Sequence, residues 1–178
     1  MSTRRRTGGY FAAEAGGCPP VVAEIKRRVG FSDTDVMGIA WYGKYPLFFE
    51  EGSAALGRIC GLTYRDFFEA GLRAPVVECH VDYHAPLELD AVFTIRARMV
   101  WCESARLNTE YELIKEDGTL AASGYTVQML VSVAGGVSGA GLAGHTPAMA
   151  ASALGDICLV PPPLIVRVRE RWRRGEFK

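Results

Sequence analysis

The sequence predicts an α+β domain, a curled antiparallel sheet wrapped around one long central helix. Three observations predict it. A strand-like alternation at Val21, Ala23 and Ile25 opens the patterned part of the chain. A helical periodicity follows, and it occurs at this length only once. After it come several long strand-like runs in close order, two of them joined by a tight turn, which is the order expected when one helix packs on one antiparallel sheet.

Residues 1 to 20 mix arginine, glycine and alanine and end at Pro19-Pro20, which reads as a flexible N-terminal arm. "VVAEIKRRVGF" (21 to 31) is an amphipathic strand whose alternation fades after Arg27. From Leu47 the period changes. Phe48, Phe49, Gly52, Ala55, Leu56 and Ile59 fall on one helical face. Pro46 suits the first turn of that helix, where its missing N–H costs nothing, and Gly61 suits its stop. Gly52 and Ala55 on the buried face let the helix backbone approach its neighbour. "TYRDFFEAG" (63 to 71) is a shorter helical piece. The runs 74 to 86, 91 to 101, 105 to 115 and 119 to 133 are strands, the last two joined by Glu116, Asp117 and Gly118. Residues 134 to 155 are rich in Gly, Ala and Ser and read as a long loop. The remainder is an apolar run with three prolines and then a basic tail, in which Arg167, Arg169, Arg171, Arg173 and Arg174 read as a solvated, fraying helix end.

With 178 residues the chain is long enough for one domain with a real core. Twenty basic residues balance twenty acidic ones, which gives no electrostatic case for nucleic acid or an anionic membrane. No apolar stretch is long enough to span a bilayer, and the Arg-rich opening lacks the apolar run of an export signal. The five cysteines form no CxxC pair and are odd in number, so reduced thiols in the cytoplasm are expected. His80 and His84 lie four apart on a strand, about 13 Å, too far to share a metal ion, so no metal is expected. Ser53 lacks a G-x-S-x-G setting, and no GxGxxG or P-loop occurs, so no nucleotide cofactor is expected.

The most informative stretch is "FSDTDVMGIAWYGKY" (31 to 45), which links the first strand to the buried helix. It places Asp33 and Asp35 just before the helix start expected near Tyr42 or Gly43. The free N–H groups of a first helical turn carry partial positive charge and can polarise a carbonyl oxygen. A carboxylate on the preceding loop can attack that carbonyl or activate water toward it. Trp41, Tyr42 and Tyr45 would wall an acyl group. The same residues also read as loop hydrogen-bonders and core aromatics, and chemistry alone leaves the two readings level.

"FSDTDVMGIAWYGKYPLFFE" resembles the signature of the hot-dog-fold acyl-CoA thioesterases of the 4-hydroxybenzoyl-CoA thioesterase type. The likeness extends to "FFEEGSAAL", "VDYHAPLELDAVF" and "ARLNTEYELIKEDGTLAASG", covering about residues 21 to 133 and leaving 134 to 178 as a Gly/Ala-rich loop and basic tail. The resemblance implies hydrolysis of acyl thioesters, carried by CoA or an acyl carrier protein. It gives Asp35 the catalytic carboxylate role, as nucleophile or general base, and the Tyr42 N–H the oxyanion role. Gly38 would let the loop pass close to substrate, beside Trp41 and Tyr45; Asp33 would orient the loop, and Glu50 would be structural. Such domains work as homodimers or homotetramers with no cofactor.

One departure concerns the phosphates of CoA. Some members bind them with basic residues at the turn before the hairpin, which here reads Trp101, Cys102, Glu103, Ser104, with Lys44, Arg96, Arg98 and Arg106 left as candidates. Two other functions fit the same fold. A hydratase or dehydratase needs an acid and a histidine near the helix, and no histidine lies between residues 1 and 79. A non-catalytic acyl-thioester-binding protein has no need of Asp35.

Overall fold

A computed structural model describes residues 9–133 and 155–177. The strands are β1 (Val21–Arg28), β2 (Leu72–Arg73), β3 (Val76–Tyr83), β4 (Val92–Val100), β5 (Arg106–Lys115), β6 (Leu120–Met129), β7 (Val131–Ser132) and β8 (Asp156–Ile157). The α-helices are α1 (Tyr45–Cys60), α2 (Tyr64–Glu69) and α3 (Pro163–Arg173). Five strands form one antiparallel sheet in the order β1-β4-β5-β6-β3, so β1 and β3 are its edges among the described residues. β2, β7 and β8 form a second, small sheet.

The central helix sits against the main sheet because its apolar stripe meets the inward residues of the strands. β4 alternates strictly, with Phe93, Ile95, Ala97 and Met99 buried. Phe48 packs on Phe93, and Phe49 lies flat on Tyr111 of β5 with ring centroids 4.4 Å apart. A Cβ on Gly52 would come within 2.9 Å of Ile95 and 3.0 Å of Ala97. The absent side chain is what lets the backbone of α1 approach β4, as the sequence predicts. Pro46 stands in the first turn, and Gly61 ends the helix at φ +73°, a left-handed conformation that suits glycine. The expected face drifts at its C-terminal end: Ile59 is 41 % exposed and Cys60 is fully buried in its place. At 100° per residue Ile59 lies within about 20° of Phe48 around the axis, so the exchange comes from what covers the end of α1, where Arg171 of α3 reaches Cys60 O, and not from the helical period. Burial pushes the Cys60 thiol up to about 11, so it is inert as a nucleophile.

Both ends of the described chain hold on to the body. Tyr10 donates to Asp82 at 2.7 Å and shares a hydrogen bond with Ser123 at 2.7 Å, while Phe11 N–H donates to Glu110. The reading of residues 1 to 20 as a loose arm did not anticipate these anchors, which depend on residues more than seventy positions away. The solvated tail also needs correction. Leu164, Ile165, Val168 and Trp172 of α3 join the main core, and Arg169 is buried with them. Arg167, Arg173 and Arg174 remain exposed. The Gly/Ala-rich loop expected over 134 to 155 lies outside the described residues apart from its last position.

Candidate active site

The stretch from Gly30 to Tyr45 folds as a tight, multiply tied loop. A 3-10 turn (Phe31–Asp33) leads into a β-turn in which Gly38 N–H donates to the Asp35 carbonyl at 3.0 Å. Gly38 sits at φ +75°, and a Cβ there would meet nothing, so backbone conformation rather than space calls for glycine. Asp35 N–H donates to Ile39 O, Ala40 N–H to Leu87 O, and Leu89 N–H to Gly38 O, which sew the loop to the chain after β3.

The two acids have different surroundings. Asp33 is 4 % exposed and accepts from Gly30 N–H at 3.0 Å, with Arg27 at 3.1 Å and Lys44 at 3.5 Å. Asp35 is half-buried. Its Oδ1 accepts from Met37 N–H at 2.8 Å, and its Oδ2 carries no bond among the described residues. Val36 and Met37 at the loop tip are fully exposed or nearly so. Asp33 is therefore committed to the fold, whereas Asp35 keeps an oxygen for something outside it.

Seven residues on, the chain enters a 3-10 turn (Tyr42–Lys44) that runs directly into α1. No side chain among the described residues caps either the turn or the helix, so the leading N–H groups keep their donor capacity. The Tyr83 hydroxyl, from β3, donates to the Tyr42 carbonyl at 3.0 Å. That carbonyl shares a planar peptide with Gly43 N–H, so holding one aims the other. Burial is the main force pushing the Tyr83 phenol above its ordinary value, which keeps it a neutral donor. The Trp41 indole lies over Gly43, where a Cβ would come within 2.4 Å of the ring, and stacks at a tilt on Tyr42. Tyr45 is buried between Phe48 and Tyr83. Burial first, then Tyr83 and Glu88, raise its phenol.

The structure thus places Asp35, Gly38, Trp41 and Tyr42 on one short segment, Asp35 half-buried and the other three exposed, with Tyr45 buried at its end. The Tyr83 bond to the Tyr42 carbonyl has no local sequence signal, because the partners are 41 residues apart. The cationic candidates are all engaged within the chain. Lys44 faces Asp33, Arg96 faces Glu24 and Glu112, Arg98 faces Glu110, and Arg106 reaches Cys102 Sγ. The turn at 101–104 does receive arginines, from α3: Arg169 donates to Glu103 O and Ser104 O, and Arg173 pairs with Glu103.

A family model described as the thioesterase-like superfamily matches residues 29–167. The chain belongs to that superfamily. A Thermosynechococcus vestitus 1,4-dihydroxy-2-naphthoyl-CoA hydrolase is 26 % identical over 117 residues, 65 % of this chain and 80 % of its own. A hypothetical protein from Thermus thermophilus superposes with a TM-score of 0.58 at 27 % identity, covering 61 % of this chain and 82 % of that one. A Staphylococcus aureus hypothetical protein solved in complex with CoA gives a TM-score of 0.65 at 17 % identity, over 90 % and 89 % of the two chains. The architecture of this superfamily member is the hot-dog fold, one long helix on an antiparallel sheet. Its relatives support thioester hydrolysis at the level of the superfamily. No helix among the described residues is long and apolar enough to cross a membrane.

Proposed function

We propose that this protein hydrolyses acyl-CoA thioesters to the free acid and CoA, with Asp35 as the catalytic carboxylate and the Tyr42 N–H as oxyanion donor. The observation that carries the reading is the pairing of a carboxylate with an unbonded oxygen and an uncapped helical turn on one exposed segment. The thioester carbonyl sits against the turn, where one well-placed donor contributes about 3 kcal/mol as negative charge grows on oxygen. Asp35 then either adds to the carbonyl carbon, to be released from the resulting anhydride by water, or takes a proton from the water that adds. In both routes the C–S bond breaks, the thiolate leaves and is protonated, and water supplies the acid's second oxygen. Gly38 holds the turn that presents Asp35, Trp41 and Tyr42 give the acyl group its apolar wall, and Tyr45, buried behind them, supports that wall instead of lining it.

The CoA carrier is favoured over a carrier protein by the names of the relatives, one a CoA-thioester hydrolase and one bound to CoA. The hydratase alternative fits less well. His80 pairs with Asp82 and stacks on Tyr125, and His84 bonds Ser123. A Cβ on Gly124 would meet Phe49 of α1, so its neighbours Ser123 and Tyr125 point to the other face of the sheet. The two described histidines therefore stand across the sheet from α1. The decisive experiment is release of thiol from acyl-CoAs by the purified protein, wild type against Asp35→Asn, with equal rates counting against the proposal.

The working unit under this proposal is a homodimer or homotetramer of a cytoplasmic protein. Edge strand β3 exposes Val76, Val77 and Tyr83 by half or more, and Tyr83 is also the residue that holds the Tyr42 carbonyl. A second copy added to that edge covers a long open strand and brings its own residues beside the site. Light scattering at micromolar concentration is expected to give a dimer or tetramer; a fully active monomer overturns this assembly.

A further inference from the structure

A cavity of about 790 Å3 opens along the exposed side of α1, within the size range of small-molecule sites. Its helix wall is Glu50, Ser53, Ala54, Gly57 and Arg58, spaced along one helical face. Facing them are Leu62, Phe67, Leu72, Met99 and Leu107. None of Asp35, Gly38, Trp41, Tyr42 and Tyr45 lines it. Resting on the hydrolase reading above, we infer that this cavity takes the far part of the acyl chain. The substrates are then long-chain acyl thioesters rather than short or single-ring ones.

The geometry of α1 sets the length requirement. At the rises of the 3-10 turn and the α-helix, Glu50 lies about 14 Å and Arg58 about 26 Å along the axis from Tyr42. A carbonyl held at the Tyr42 N–H is thus more than two turns from the near rim. Acetyl, benzoyl and octanoyl groups end before it; a dodecanoyl chain reaches it. The face between is apolar: Leu47, half exposed, stands one turn before Glu50 on the same side. Glu50 and Arg58 are exposed and keep their charged ends in solvent, and the more buried polar groups of the wall do not oppose an alkyl chain. Ser53 and Thr109 face the Tyr111 hydroxyl, which meets Thr126 at 2.9 Å, and Gln128 Nε2 donates to Ala74 O at 2.8 Å. A chain laid against them strands no donor or acceptor.

The test uses the full chain with acetyl-, benzoyl-, octanoyl- and dodecanoyl-CoA, below the concentration at which the last self-associates. kcat/KM is expected to rise with chain length, by up to about fourfold per methylene buried. Ala54→Phe, at an exposed helix position, narrows the cavity and is expected to cut the dodecanoyl-to-acetyl ratio at least tenfold; Ala54→Leu moves it the same way by less, should the larger residue disturb folding. A flat profile, a preference for benzoyl, or a rising profile that both variants leave unchanged overturns the inference while leaving the hydrolase intact. Hydrolysis of none of the four sinks the hydrolase reading instead. The cavity is then judged by calorimetry: dodecanoyl-CoA binding tighter than CoA, with the gain lost in Ala54→Phe, supports it, and equal binding overturns it.

Discussion

Asp33 and Asp35 stand two residues apart in one loop, and the structure gives them opposite fates. Asp33 is buried, with a backbone N–H, Arg27 and Lys44 around it. The Asp35 side chain is half-buried and has one hydrogen bond among the described residues, from within its own turn. A carboxylate surrounded by donors and cations has its charge consumed by the fold. One with an oxygen to spare is held in place by the turn yet remains available for chemistry. The difference teaches that a D-x-D pair before a helix start is a division of labour: one acid fixes the loop, and the other is presented by it.

The largest effect that sharpens this contrast belongs to Asp35→Asn. The amide keeps the shape and can still accept from Met37 N–H, so the melting temperature stays within a degree or two. Turnover of acyl-CoA falls by about 10² to 10⁴, the usual contribution of a positioned base or nucleophile. Near-normal turnover by the folded variant would remove Asp35 from the chemistry.

Asp33→Asn is expected to invert the pattern. Neutralising one member of a buried ion cluster leaves Arg27 and Lys44 facing each other across an amide. Both cations are about a quarter exposed, so the cost falls near the low end for a broken buried pair, about 3 kcal/mol. For a chain of this size that is a loss of about 6 to 12 °C in Tm. Turnover per folded molecule stays within tenfold of wild type. A Tm unchanged beside activity as low as that of Asp35→Asn would mean the roles are reversed.

What the sequence disclosed follows the same division between local and distant causes. The period-two and helical patterns, Pro46, Gly61 and the Glu116-Asp117-Gly118 turn act within a few residues, and the five main strands and α1 were legible from them. The candidate segment stood out because its residue types are crowded into fifteen positions and resemble a known signature. What stayed hidden depends on partners far along the chain. Strand β2 is two residues long and is defined by pairing with β7. Helix α3 reads as a basic tail until the turn at Glu103 and Ser104 is placed beneath Arg169. Arg169 makes a useful counterpart to Asp33, being a buried charge that faces neutral carbonyls instead of ions. Burial, its main perturbation, lowers its proton affinity. Arg169→Met keeps the bulk but leaves Glu103 O and Ser104 O without donors, at about 2 kcal/mol by chemical denaturation, with turnover unchanged. A variant as stable as wild type would show that water replaces the guanidinium freely.

The smallest effect concerns a third acid, fastened by hydrogen bonds alone. Thr63 caps α2: its hydroxyl accepts from Asp66 N–H at 3.3 Å and donates to Asp66 Oδ2 at 2.5 Å, while the same Oδ2 accepts from Thr63 N–H at 2.7 Å. These bonds, the Thr63 hydroxyl first and its backbone second, pull the Asp66 carboxyl below its ordinary value. A folded-state value below the unfolded one means the carboxylate adds stability above about pH 4, the unfolded range for Asp, and that this part is lost as pH falls through the folded value. Thr63→Ala removes the cap, at about 1 kcal/mol near neutral pH. Part of that loss is the bond to charged Asp66, so the gap between wild type and variant narrows when urea melts are repeated below pH 4. A gap of constant size at both pH values would show that only the uncharged half of the cap matters. It would also place Asp66 with neither Asp33 nor Asp35, as an acid whose charge the fold does not use.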